Sequence, residues 1–259
     1  FGRNGGLYLT SIFRFPRLRA LISAPMSRRY GWRFRDLEAE IVRNSPALNI
    51  TYTPRSFQVY AGEFPQSRYA FVGASIDGCR HEPCELPEGG GPLVYISLGT
   101  ELNKSERFFR RCVEAFGGTG VRVVMAIGNS VRSENLGPLP PTTMVRSRVP
   151  QLEVLSQASL FITHGGMNSV NEALFYGVPM LVVPVGNDQP TVARRVEELG
   201  LGEALEIREA TPIVLREAAM RVLSDRECHA RLSEFRQETR NAGGNTKAAK
   251  LIIEQLSRV

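Results

Sequence analysis

Apolar and polar positions alternate along this chain in two registers, short unbroken apolar runs and longer stretches of helical period. From 92 onward they take turns. Residues 93–97 (Leu-Val-Tyr-Ile-Ser) read as a buried strand, 104–116 as a helix stopped by Gly117-Gly118, and 121–127 as a second strand. A loop rich in proline runs to Pro141, then 143–149 reads as a strand and 151–157 as a short helix. The run 159–163 ends at His164 and two glycines. A helical pattern covers 167–176, Gly177 stops it, and a further apolar run fills 178–185. Helix 190–199, strand 203–207, helix 211–223 and two last helices near 226–240 and 246–257 complete the pattern. Strands alternating with helices through short loops predict an α/β fold with a parallel sheet covered on both faces.

Ahead of this region the signal is sparser. Residues 48–52 alternate like a strand before Pro54, and 69–76 form another strand candidate. Residues 77–91, with three consecutive glycines, two prolines and several charges, predict a linker. The expected organisation is therefore 1–76, a linker at 77–91, an α/β domain at 92–240, and a C-terminal helix at 241–259 that packs back on the first domain.

Ligands of such sheets bind at the carboxyl ends of the strands, where Thr100, Val149, His164 and Asp188 fall. Gly165 and Gly166 permit close backbone approach, and the helix after them aims free N–H groups and a positive dipole end at whatever sits there. That is an anion site. Asn168 and Ser169 add side-chain donors in the first helical turn, or cap it. Glu172 projects from the same face one turn deeper; its carboxylate repels phosphate but accepts hydrogen bonds from sugar hydroxyls. Phosphate first and polyol second is the order these residues predict.

Composition changes little. With 259 residues the chain is long enough for one large domain or two smaller ones, and no run approaches the ~20 apolar residues of a membrane-spanning helix. Four cysteines without a disulfide-like spacing fit a cytoplasmic setting. The net charge of +6 resides in residues 1–46, which hold nine arginines against Asp36, Glu38 and Glu40. Aromatic and aliphatic residues interleave with these arginines, as on amphipathic helices with a solvated face. Peripheral membrane contact is the alternative, and nucleic-acid binding is not expected. Cys79, His81 and Cys84 do not make a closed zinc set, and no metal is expected.

The segment from Arg148 to Gln189 resembles the donor-binding signature of family 1 glycosyltransferases with the GT-B fold, and most closely their bacterial macrolide branch. The matching residues are Val149-Pro-Gln151, His164-Gly-Gly-Met-Asn168-Ser169 with Glu172, and Pro184 followed by Asp188-Gln189. The resemblance implies that His164 donates to the diphosphate of a nucleotide sugar and that Asp188 and Gln189 reach the transferred sugar. It implies that Gly99-Thr100 is a phosphate-side loop and that no essential metal takes part. Many relatives carry Trp where this chain has Arg148. A guanidinium can also lie flat on a base, with Val149 and Gln151 beside it. Glu172 favours a ribose, hence UDP over TDP.

The implied reaction moves a sugar, with inversion, from a nucleoside diphosphate to a hydroxyl of a small lipophilic acceptor. Residues 1–76 resemble the closing part of the acceptor-binding domain, so the catalytic base is expected in a segment before this chain, which alone would be inactive. A donor-binding subunit of a split transferase and a nucleotide-sugar epimerase are the alternatives.

Overall fold

The computed structural model describes residues 28–29, 47–76, 82–99 and 105–257. Most of the basic N-terminal region, Thr100, Cys79 and His81 lie outside them. The described residues group into two units, one of 28–29, 47–50 and 64–70, the other of 51–63, 71–76, 82–99 and 105–257.

Short strands β1 (Asn49–Thr51) and β2 (Tyr69–Phe71) pair with each other. In the smaller unit the Asn49 N–H donates to the Arg68 carbonyl at 2.7 Å, and Phe64 and Tyr69 meet edge to face at 5.0 Å.

The larger unit is built on six parallel strands: β3 (Leu93–Ser97), β4 (Arg122–Ala126), β5 (Thr143–Arg146), β6 (Leu160–Thr163), β7 (Met180–Val182) and β8 (Gly202–Ala204). Their order across the sheet is β5-β4-β3-β6-β7-β8. Succession runs outward from β3 on one side and from β6 on the other, so the direction of winding reverses between these two strands. Crevices open at such a reversal, beyond the strands' carboxyl ends.

Helices α1 (Glu106–Phe116), α2 (Gln151–Gln157), α3 (Met167–Tyr176), α4 (Gln189–Glu198), α5 (Pro212–Ser224), α6 (Arg226–Asn241) and α7 (Gly244–Leu256) follow. Alternate strand residues feed two apolar layers. Val94 and Ile96 join Phe108, Phe109 and Phe116 of α1 and Leu215 of α5 on one face. Leu93 and Tyr95 join Leu155, Leu174, Val196 and Leu232 from α2, α3, α4 and α6 on the other. Burial on both faces explains why these strands read as unbroken apolar runs.

Residues 51–57 lie across α3, α4 and α6 as a strap. The buried Asn171 of α3 donates to the Tyr52 carbonyl at 2.7 Å and accepts from the Thr53 hydroxyl at 3.0 Å. Arg195 of α4 donates to the carbonyls of Phe57 and Ser56 at 2.9 and 3.0 Å, and Glu238 of α6 accepts from Ser56. Phe57 fills the apolar layer below.

The strands are shorter than their apolar runs. The run 178–185 is ladder-paired only over Met180–Val182, and 143–149 only over Thr143–Arg146. Val149 is buried beyond the ladder's end, packed as core. Among the described residues no helix is long and apolar enough to cross a membrane.

Candidate functional site

A cleft of about 1380 Å³ opens where β3 and β6 end. The loops after β3, β4, β5 and β6 contribute its walls, and Arg148, Val149, Gln151, His164, Gly166, Asn168 and Ser169 all line it. Arg148 and Asn168 are exposed there, while Val149 is buried in the wall.

His164 follows β6 directly. Its ring lies between two glycine backbones: a Cβ on Gly99 would stand 2.7 Å from Cε1, and one on Gly166 would stand 2.6 Å from Nε2. Gly99 also has φ +79°, a conformation that L side chains rarely adopt. Gly165 has φ +86°, and a Cβ there would meet Val182 Cγ1 at 2.7 Å. Each glycine thus has a steric reason to be glycine. Burial holds the imidazole below the usual histidine range, against the Asp188 carboxylate and the Ser97 carbonyl, which favour the protonated ring. Nδ1 is buried and has no hydrogen-bond partner. A buried polar atom left unpaired is uncommon and calls for a cause.

The start of α3 faces the same space. Three helix starts are closed by side chains: Ser105 accepts from the Phe108 amide, Thr211 from that of Val214, and Asp225 from those of Glu227 and Cys228, whereas α2, α4 and α7, like α3, start without one. Helix α3 begins on Gly166 with no side-chain cap, so its first-turn amides stay open to a ligand. Asp188 occupies the N-cap position of α4, yet its carboxylate makes no capping bond. Gln189 is buried, and its side-chain oxygen accepts from the amides of Val185 and Gly186 at 2.7 and 3.0 Å. That oxygen is spent on its own loop.

Gln151 and Glu172 touch each other, which the sequence did not reveal. The Gln151 amide nitrogen donates to the Glu172 carboxylate and, at 3.3 Å, to Ser169 Oγ, while its oxygen accepts from the Tyr95 hydroxyl at 2.9 Å. Burial raises the Glu172 pKa above the ordinary carboxylate range, and the Gln151 bond works against that rise. Tyr95 and Ser97 line the cleft too. They sit inside an apolar strand run, and only their pleat position relative to Gln151 marks them. Thr100 lies outside the described residues, as do Cys79 and His81. Among the described residues no three His, Cys, Asp or Glu side chains cluster as a metal site would need.

Residues 110–254 match the family model "Erythromycin biosynthesis protein CIII-like, C-terminal domain". The chain is 42% identical over 205 residues to the NDP-glycosyltransferase YjiC of Bacillus licheniformis, covering 78% of this chain and 52% of that one. It is 40% identical over 220 residues to the demethyllactenocin mycarosyltransferase of Streptomyces fradiae, covering 85% and 47%. The crystal structure of the kitacinnamycin glycosyltransferase superposes with a TM-score of 0.83 at 35% identity, over 95% of this chain and 64% of that one. The chain spans about half the length of the curated relatives it matches.

Proposed function

The chain belongs to the macrolide-type family 1 glycosyltransferases, and from that membership we propose that it carries the nucleotide-sugar site of a UDP-dependent, inverting enzyme. The proposed acceptor is a hydroxyl on a small lipophilic molecule, and the proposed setting is the cytoplasm. Residues 92–240 form the donor domain in this reading, with 1–76 in the acceptor domain, 77–91 linking them and 241–259 returning as the C-terminal helix.

One observation carries the reading: an imidazole wedged between the Gly99 and Gly166 backbones at the uncapped start of α3. The diphosphate accepts from the α3 amides, from Asn168 and Ser169, and from His164. Arg148 lies over the base with Val149 and Gln151 beside it, and Glu172 accepts from the ribose hydroxyls. Asp188 and the Gln189 amide meet the sugar, and Thr100 extends the phosphate loop.

As the acceptor oxygen bonds to the anomeric carbon, the bond from that carbon to the diphosphate oxygen breaks and its electron pair leaves on the diphosphate. The acceptor proton passes to a base outside the donor site. His164 and the positive end of α3 stabilise the charge growing on the leaving group, a role for fixed dipoles that needs no cation.

Calorimetric titration with UDP and with TDP tests the assignment. UDP should bind more tightly, and His164→Ala should weaken it roughly 10- to 100-fold, the worth of a charge-assisted hydrogen bond. Equal affinity in the variant would remove His164 from the site.

A further inference from the structure

Tyr95 lies in the middle of β3, 1% exposed, with its ring stacked on Phe161 of β6 at 4.8 Å and 9°. The two residues are register partners on adjacent strands, so the sheet fixes where the phenol points. Tyrosine needs a reason to be here, because its hydroxyl must be satisfied in an apolar layer. The reason is Gln151: the phenol donates to the amide oxygen at 2.9 Å. That bond gives the Tyr95 hydroxyl hydrogen to Gln151 and occupies the amide oxygen. The amide then has one workable orientation, oxygen to Tyr95 and NH₂ to Glu172 and Ser169.

A relay therefore runs from the middle of β3, through Gln151 on the cleft wall, to the Glu172 carboxylate of α3. Without its anchor, Gln151 is a half-buried side chain at the first position of α2, with its oxygen unpaired and free to turn toward the open cleft. Glu172 would then lose the N–H that holds it.

We infer that Tyr95 is a positioning residue for nucleotide recognition, acting through Gln151 to hold the Glu172 carboxylate where a ribose 2′-hydroxyl can donate to it. This rests on the donor-site reading above, and it adds a residue that never touches the ligand.

The test measures binding of UDP and of 2′-deoxy-UDP to the chain and to its Tyr95→Phe, Glu172→Gln and doubly substituted variants. Tyr95→Phe keeps the ring and its stack on Phe161, so thermal melting should report a folded protein. The unsubstituted chain should prefer UDP over the deoxy analogue by on the order of tenfold, the worth of one hydrogen bond to a charged group. In Tyr95→Phe, UDP affinity should fall by about that factor and deoxy-UDP affinity by less than about twofold, so that the preference disappears. In the Glu172→Gln background, Tyr95→Phe should change UDP affinity no further, because the relay would have no carboxylate to hold. A retained preference in Tyr95→Phe, or additive losses in the double variant, would overturn the inference and leave the donor site standing. Failure of the unsubstituted chain to bind UDP would overturn both.

Discussion

Gly166→Ala displaces one side chain and leaves the backbone alone. Gly166 has φ −64° and ψ 134°, open to any residue, so the substitution introduces no conformational strain. Its cost in stability is that of alanine at a helix N-cap, about 0.5–1 kcal/mol. The added Cβ, however, would stand 2.6 Å from His164 Nε2 and 2.9 Å from Cε1, where ordinary contact begins at 3.4 Å. The ring must retreat by about 0.8 Å, and a ~2.9 Å hydrogen bond from it to a phosphate, stretched that far, is no longer one. Loss of a bond to a charged group costs about 1.5–3 kcal/mol, or roughly 10- to 150-fold in affinity. Titration with UDP, beside chemical unfolding, separates the two effects: a large loss of binding with a small loss of stability. Gly99→Ala should lose both, since its φ of +79° adds about 1–2 kcal/mol of strain to the same clash. UDP binding by Gly166→Ala within twofold of the unsubstituted chain, while His164→Ala binds far more weakly, would refute the claim that Gly166 sets the ring's position.

Burial lowers the His164 pKa in the fold, so as pH falls the unfolded chain takes up a proton more readily than the folded one. Stability attached to this group is present above the ordinary histidine pKa of 6.5 and is lost as pH falls through it. Urea midpoints between pH 7 and 5 should therefore fall less steeply in His164→Gln, and parallel curves would contradict the assignment. Glu172 has the opposite sign: its raised pKa makes its ionisation a cost that grows as pH rises above 4.5. Glu172→Gln should melt at a higher temperature at pH 7 and bind UDP more weakly, and a lower melting temperature would refute the first half. Asn171→Ala leaves the Tyr52 carbonyl and Thr53 hydroxyl without their partner and should lower unfolding free energy by about 1–3 kcal/mol in urea. A change within experimental error would mean water replaces both bonds.

The ladder was legible because the central strands β3, β4, β6 and β7 are buried on both faces, and because glycine or a polar cap marks an end of α1, α3, α5 and α6. Helices at Gln151–Gln157 and Met167–Tyr176 fall where their periodicity placed them. Strand ends were less legible, since Val149 belongs to the core without belonging to the ladder, and hydropathy records burial rather than pairing. In the site, His164 and its glycines announce themselves as neighbours in sequence. The Tyr95, Gln151 and Glu172 contacts do not: they join residues 56 and 21 positions apart, and a tyrosine inside Leu-Val-Tyr-Ile-Ser reads as one more apolar residue. Gln189 shows the converse, a residue assigned to a ligand whose oxygen is bound to its own loop. Asn171 gave no signal in sequence, because its partners at 52 and 53 lie outside any local pattern.

The strap has a consequence for how the protein is made. Residues 52–57 meet Asn171, Arg195 and Glu238 across separations of 118 to 182 positions. On a ribosome adding ~5–20 residues per second, the strap emerges on the order of ten seconds before α3 and α4 exist. Phe57, only 5% exposed once docked, spends that interval in water or on a chaperone. Closing so long a loop costs little more than closing a short one, since the entropy grows only with the logarithm of length. The delay is therefore kinetic rather than thermodynamic. Synthesis rate, more than final stability, governs how long this segment stays open to wrong partners.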